Sequence, residues 1–337
     1  RLPRLNRLLH VDVGRDQVTN LCTGKRTHSL HAWGNPLVVL SLPFARWRPP
    51  PIHRRGENAW LVRRAADLEG GTGQSAAIAW QNHCQQQWLV GARPRAVAWP
   101  WENHSWERAF VRHAQRLGVK TIGFQHSVVG HQMLNYGVGS NPDGLDSIPD
   151  LVLCNGPATR EQLLQWNMPE DRTAIGGALR HTDTTVIPHD PEGPVFFALP
   201  SETGIGRQMA ELGQQLAAGG RKVLIKEHPL YPVHFTETKH IKRTLRPLLD
   251  QDPVSLVIYA GTTVGLEAIL MGLPTLRFRP EGRISLDILP PGISVPTIEA
   301  ETLQEQFSEI LPPVVHRERI FAPVNWDLWL DLLAPAP

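Results

Sequence analysis

Two stretches in the carboxyl-terminal half carry side chains suited to gripping an anion. Lys226-Glu227-His228-Pro229 follows the apolar run KVLI. If that run is a strand, Pro229 ends it, and Lys226 and His228, two apart on an extended backbone, face one side. An ammonium and an imidazole so placed can neutralise a phosphate, and the imidazole can give it a proton as it leaves. A turn histidine beside a solvated lysine is the plainer alternative. Further on, Gly261-Thr262-Thr263-Val264-Gly265-Leu266-Glu267-Ala268 leads out of SLVIYA. It reads as strand, turn and helix start, where free N–H groups and two hydroxyls suit an anion. Thr262 as an ordinary N-cap is the alternative. Glu267 can accept from ribose hydroxyls or complement the helix dipole.

The amino-terminal half offers groups for acid–base work. Trp101-Glu102-Asn103-His104-Ser105-Trp106-Glu107 follows the run AVAWP, which puts Glu102 or His104 at a strand's carboxyl end. A carboxylate there serves as base or nucleophile, and Glu102 is the first choice; an N-terminal capping acid is the competing role. Glu107 reads as a first-turn acid that complements the dipole. His126, in Gly123-Phe124-Gln125-His126-Ser127, opens a long Gly- and Asn-rich segment running to Pro149, of the kind used as a binding element or lid. Arg180 ends GGALR and can offer a bidentate fork to a carboxylate or phosphate, or lie on the surface. Asn155 and Gly156 read as the turn into a helix, with Gly156 giving backbone room. Asp287 is a weaker candidate for ligand contact or a hinge.

These residues need strands to carry them. PLVVLSL (Pro36 to Leu42), AVAWP (Ala96 to Pro100), KTIGFQ (Lys120 to Gln125), LVLCNG (Leu151 to Gly156) and AIGGAL (Ala174 to Leu179) are short apolar runs bounded by turn residues. Helical stretches such as Trp106 to Leu117 and Ala158 to Trp166 lie between them. The Pro-rich IPHDPEG then marks a boundary. A second series follows in PVFFALP, a helix through Arg207 to Ala218, KVLIKEHP, SLVIYAG, a helix from Thr263 to Met271, and PTLRF. The expected fold is α/β, with two Rossmann-like domains facing a cleft. The expected domains are 1–187, 188–320 for the ligand, and a closing helix within 321–337 built on NWDLWLDLLA. That helix reads as core packing, with a membrane anchor as the other possibility.

Composition narrows the classes. Among 337 residues, 34 Lys and Arg nearly balance 32 Asp and Glu, so no overall field draws in nucleic acid. Cys22, Cys84 and Cys154 are too widely spaced for a disulfide framework or thiolate metal site, which suits a reducing cytosol. The opening RLPRLNRLLH has no signal-peptide core, and no apolar run approaches the roughly 18 residues of a membrane span, so membrane contact is expected to be peripheral at most. No repeat period is present. Glu69-Gly70-Gly71-Thr72-Gly73-Gln74 lacks a Gly-Lys-Ser/Thr ending and reads as a flexible loop, and Gly204-Ile205-Gly206 lacks the rest of a dinucleotide fingerprint. No HExxH or Asp-pair spacing asks for a metal.

The pairing of KEHP with a hydroxyl pair at a helix start resembles the HP and SS motifs of bacterial GT-B sialyltransferases, polysialyltransferases and Kdo transferases. The wider set ENHSWE, GFQHS, LCNG, GGALR, KEHP and GTTVGLEAILMGLPT, over about Pro100 to Phe278, is similar to surface-carbohydrate biosynthesis proteins. The resemblance implies a cytoplasmic, metal-independent transferase without a cofactor. It would move an acidic sugar (Kdo, sialic acid or another nonulosonate) from a CMP-linked donor to a glycan or glycolipid acceptor of capsule or lipopolysaccharide. His228, Thr262 and Thr263 would hold the donor phosphate, with Lys226 and Pro229 beside them. Thr-Thr replaces the serines of the family motif, which keeps the hydroxyls. A UDP- or GDP-sugar transferase, or a CDP-polyol phosphotransferase using His126 and His228, is the nearest rival. A non-catalytic nucleotide- or glycan-binding relative is the third reading.

Overall fold

The computed structural model describes residues 36–44, 48, 49, 51, 55–57, 59–69, 72–180, 188–300 and 310–333. Cys22, the opening ten residues, Gly70, Gly71 and Ile187 lie outside them. By internal contacts the chain forms two units, Arg1–Gly123 with Asn141–Asp150, and Phe124–Ser140 with Leu151–Pro337. The seams therefore fall beside strand ends, and residues 188–193 of the Pro-rich connection belong to the second unit.

In the first unit, helices α1 (Pro36–Ser41), α2 (Ala59–Glu69) and α3 (Thr72–Ala92) precede β1 (Ala96–Pro100), α4 (Ser105–Arg116) and β2 (Lys120–Phe124). The run PLVVLS, expected as a strand, is helical. Pro36 occupies the first helical position, where its fixed φ and missing N–H suit a helix start, and periodicity cannot separate a short apolar run of either kind. Thr72–Gln74, read as loop, belong to α3. β1 turns Val97 and Trp99 inward by its period of two. α4 buries Glu107, Phe110, Val111 and Ala114, one stripe at helical spacing, and the Phe110 ring meets the Trp99 ring edge-on at 5.3 Å.

The second unit holds β3 (Leu151–Cys154) and β4 (Thr173–Ile175), parallel neighbours joined through α5 (Pro157–Gln165). The expected strand Ala174–Leu179 stops at Ile175, because Gly177 adopts φ +81° and packs where a Cβ would lie 2.2 Å from the Pro323 carbonyl oxygen. A six-stranded parallel sheet follows: β5 (Val195–Ala198), β6 (Val223–Lys226), β7 (Ile241–Arg243), β8 (Leu256–Tyr259), β9 (Thr275–Phe278) and β10 (Thr297–Ile298), in spatial order β10-β9-β8-β5-β6-β7. Every residue of β5 and β8 is buried, which explains their unbroken apolar sequence. β7 and β10 were not legible as strands: IKR and TI are too short to show a period. α6 (Thr203–Ala218) covers one face, where Val195, Phe197, Ile258 and Met209 pack; α7 (Val264–Leu270) covers the other with Phe196, Val257, Tyr259 and Leu266.

The chain is thus α/β and built on parallel strands, as its sequence pattern required. After a short helix, α8 (Arg317–Ile320), the terminal helix α9 (Trp326–Leu333) docks through Trp329, whose indole donates to the Gly176 carbonyl at 3.1 Å and meets Phe124 edge-on at 5.5 Å. Among the described residues no helix is long and apolar enough to cross a membrane.

Gly265 gives a test of the α7 face. A Cβ there would sit 2.4 Å from the buried Tyr259 ring. Helix propensity alone would make Gly265→Ala stabilising by about 1 kcal/mol. We expect the opposite sign, a loss of about 1–3 kcal/mol in urea unfolding, as overpacking overrides propensity.

Candidate functional site

The order of the large sheet reverses at β5: β6 and β7 extend to one side, β8, β9 and β10 to the other. Open α/β sheets take their ligands outside the carboxyl ends of the strands at such a reversal. Register places Ala198, the last residue of β5, level with Lys226 on β6 and Tyr259 on β8. The KEHP element and the Gly261-Thr262-Thr263 turn therefore emerge at one level, separated by the width of one strand, about 10 Å between their backbones.

At the end of β6, Glu227 locks the turn. Its carboxylate accepts the Val233 N–H at 2.6 Å and pairs with the Arg243 guanidinium, which in turn donates to the Val233 carbonyl. His228 bridges to Tyr231, and its Nδ1 accepts the Leu230 N–H at 3.3 Å. With Nδ1 engaged as an acceptor, the neutral ring carries its proton on Nε2, the nitrogen left to donate to a ligand. Lys226 is less free than its sequence position implied: Nζ donates to the carbonyls of Leu245 and Arg246 at 3.2 and 3.3 Å. One ammonium proton remains.

At the end of β8, Gly261 takes φ +55°, and Thr263 stands at the N-cap position of α7 without a capping bond from its side chain. Thr262 and Thr263 are both half-exposed. Ordinary N-capping by a threonine side chain is therefore not what these residues do. Burial raises the Glu267 carboxyl pKa, while Arg180 and then Lys226 pull it back down. The two cations foreseen as anion-binding groups thus share one half-buried acid. Arg180 itself sits past the end of β4, on a loop held where the Ala178 N–H donates to the Ala322 carbonyl at 2.9 Å.

His126 lies at the start of a segment anchored to the second unit at several points. The Asn155 side-chain amide donates to the Ser127 carbonyl at 2.7 Å, the Gln125 N–H to that of Leu153 at 2.9 Å, and Gly130 rests on the backbone of Asp287 and Ile288. Gly156 is pressed against the Ile320 carbonyl, so it does supply backbone room. Asp287 is no free ligand group: it pairs with Arg277 at 3.1 Å and accepts the Leu289 N–H. The sequence reading missed the end of β5, where Glu202 caps α6 by accepting the Ile205 N–H at 2.6 Å and pairs with Arg283, whose guanidinium lies where a Gly204 Cβ would be. Gly204 is there for that contact. The end of the run PVFFALP was the available signal.

The first unit builds a separate constellation. Glu102 and His104 form a carboxylate–imidazole pair, Oε2 to Nε2 at 2.7 Å, with half-exposed to exposed side chains. Asn103 between them holds φ +58° while 3% exposed, fixed by its amide on Asn141 at 3.0 Å. A non-glycine residue held so is strained backbone that its surroundings must impose. Glu107 lies beneath. Its carboxylate, 1% exposed, receives the Trp99 indole N–H at 3.2 Å and the backbone N–H groups of Glu102 and His104, the latter at 2.6 Å. It is the keystone of the loop rather than a dipole-complementing surface acid.

Among the described residues no group of three or more His, Cys, Asp and Glu could hold a metal ion. Cys84 and Cys154 are buried and in no disulfide, and burial pushes the Cys154 thiol up to about 12, which makes it a poor nucleophile.

No protein-family model matches the chain, and no curated protein matches it. Among solved structures it is similar to UDP-N-acetylglucosamine 2-epimerase from Rickettsia bellii, at 13% identity over 77% of this chain and 76% of that one, with a TM-score of 0.47. It is also similar to the lipopolysaccharide outer core galactosyltransferase WaaB in its apo form, at 11% identity over 83% and 87%, TM-score 0.42. A third is Methanocaldococcus jannaschii UDP-GlcNAc 2-epimerase in complex with UDP-GlcNAc and UDP, at 10% identity over 72% and 78%, TM-score 0.42. With TM-scores below 0.5, these likenesses say nothing of what this chain binds.

The Glu107 keystone makes a signed prediction. Burial raises its folded-state pKa above the unfolded value, so folding takes up a proton there, and stability linked to this group is fully present at acid pH and lost as pH rises through the raised pKa. The stability of the wild type minus that of Glu107→Gln should therefore fall as pH rises from the ordinary glutamate range toward neutrality. Urea unfolding of both proteins across that window checks it.

Proposed function

We propose that the protein is a metal-independent glycosyltransferase of the GT-B type, cytoplasmic, taking a sugar from a nucleotide-activated donor to a cell-surface glycan or glycolipid. One observation carries this reading: the strand-order reversal at β5 puts His228 and the Thr262–Thr263 pair past the ends of β6 and β8, the strands on either side of β5, with Arg180 and Lys226 beside Glu267. That set suits a phosphate leaving from a sugar. His228 Nε2–H and the threonine hydroxyls donate to its oxygens, and two cations offset its charge. Glu267 is assigned to the ribose hydroxyls. Glu102 is the base for the acceptor hydroxyl or the nucleophile, with His104 hydrogen-bonded to it, and His126 helps to orient the acceptor.

For the donor we propose a CMP-linked acidic sugar, supported by the similarity of KEHP and Thr262–Thr263 to the HP and SS motifs. Calorimetric titration with CMP, CDP, UDP and GDP in the presence of EDTA tests it. CMP should bind best, and His228→Ala should weaken it by about tenfold, as expected for losing a hydrogen bond to a charged group. Glu102→Gln should leave CMP affinity within about twofold and cut turnover of the donor by about a hundredfold or more. Preference for UDP, GDP or CDP would transfer the reading to the corresponding donor. CMP binding without turnover that Glu102→Gln could change would mark a non-catalytic relative. Absence of nucleotide binding would overturn the site.

A further inference from the structure

Beside the Gly261-Thr262-Thr263 turn, three polar atoms are enclosed and left over from the pairings described above. They are the Tyr259 hydroxyl, Arg277 Nε and the Ser285 hydroxyl, and among the described residues none of them meets a hydrogen-bond partner. These three gather around one ion pair. Tyr259 and Arg277 are register partners on β8 and β9, so their side chains leave the same face of the sheet. The Arg277 guanidinium donates through one Nη to the Asp287 carboxylate at 3.1 Å and through the other to the Ser285 carbonyl at 2.7 Å. Burial raises the pKa of the Tyr259 phenol, Asp287 raises it further and Arg277 pulls it down, so both charges lie near its oxygen.

An enclosed polar atom without a partner costs stability, and native proteins satisfy most such atoms with protein groups or ordered water. The Arg277–Asp287 pair is neutral as a unit, so the guest that fits these atoms is neutral too. It must accept from Arg277 Nε–H, which can only donate, and it can give or accept at the two hydroxyls. Water does both, and an enclosed water makes about three hydrogen bonds.

We propose that Tyr259, Arg277 and Ser285 hold one enclosed water, and that through it Tyr259 is a positioning residue for the Thr262–Thr263 pair. The positioning role rests on the reading of that pair as the phosphate-binding group. Tyr259 reaches the turn from both ends: it stands two residues before Gly261, and its ring is pressed against Gly265, two residues after Thr263. Ser285 reaches the middle, with its Oγ 3.7 Å from where a Gly261 Cβ would lie. Gly261, at φ +55°, has no side chain to restrain it, and the Thr263 side chain makes no capping bond, so these contacts set where the two hydroxyls stand. The ion pair is braced in turn, since the Asp287 N–H donates to Gln132 Oε1 at 2.8 Å.

Two measurements test this. A crystal structure of the whole protein, at a resolution that shows ordered water, should place one water within about 3.2 Å of all three atoms. Tyr259→Phe, which keeps the ring against Gly265, should lose it. No water there, or a Tyr259 hydroxyl bonded to Asp287 instead, would overturn the cage. In calorimetric titration, Tyr259→Phe and Ser285→Ala should each weaken the tightest binder among CMP, CDP, UDP and GDP by about fivefold, the worth of one ordinary hydrogen bond, and leave its phosphate-free nucleoside within about twofold. A merely structural role would weaken nucleotide and nucleoside alike, or lower only the melting temperature, and either result would overturn the positioning role. Nucleotide binding by the wild type that neither variant changes would overturn this inference alone. A wild type that binds no nucleotide would overturn the phosphate reading, and the positioning role with it.

Discussion

Everything proposed for the second unit depends on where the strand order turns back. β5 is the first strand of its sheet, and the chain lays two strands to one side of it before crossing to lay three on the other. Right-handed parallel crossovers then force the connecting helices onto opposite faces, α6 on one and α7 on the other. The loops that leave β5 and β8 must diverge, and side chains at their ends have space between them. Lys226, Glu227 and His228 border that space because β6 is in register with β5, with Lys226 beside Ala198. A slip of one residue would exchange His228 for Glu227 on the ligand side.

The first unit solves a different problem, holding an exposed pair of polar side chains in place on a loop. Exposed ion pairs contribute little by themselves, since solvent screens them and side-chain entropy opposes them. The order of Glu102 and His104 comes instead from the backbone under them. Glu107 gives up hydration to receive two of their N–H groups and an indole, and Asn103 is kept in a left-handed conformation by Asn141. Burying a carboxylate is costly unless its oxygens are satisfied, and here they are. Strain and a buried charge on one short loop are what a site needing fixed geometry requires, since a loop without them would sample many arrangements of the pair.

How much of this could be read in the sequence follows from the range of each interaction. The buried strands were legible because burial on both faces demands unbroken apolar runs, and VFFA and LVIY have them. The helical nature of PLVVLS was hidden because six apolar residues fit either element, and only the position of Pro36 distinguishes them. Lys226, His228, Thr262 and Thr263 were singled out by the apolar runs before them, and they do lie at or just past strand ends. The Glu202–Arg283 pair was not, because its members are far apart in sequence and their meeting depends on a glycine. Glu107 was seen but given the common role of a first-turn acid; its three convergent donors come from Trp99, Glu102 and His104, and only the folded loop brings them together.

The two kinds of positive charge in this chain also differ in reach. Arg180 and Lys226 lie beside Glu267, whose carboxylate offsets one of their two charges, so their field at a distance is weaker than that of two unpaired cations. Such a group selects an anion more by contact geometry than by attraction from afar. The arginines of residues 1–66 have few acids beside them in sequence. Balance across the whole chain is therefore no guide to what any part of it attracts.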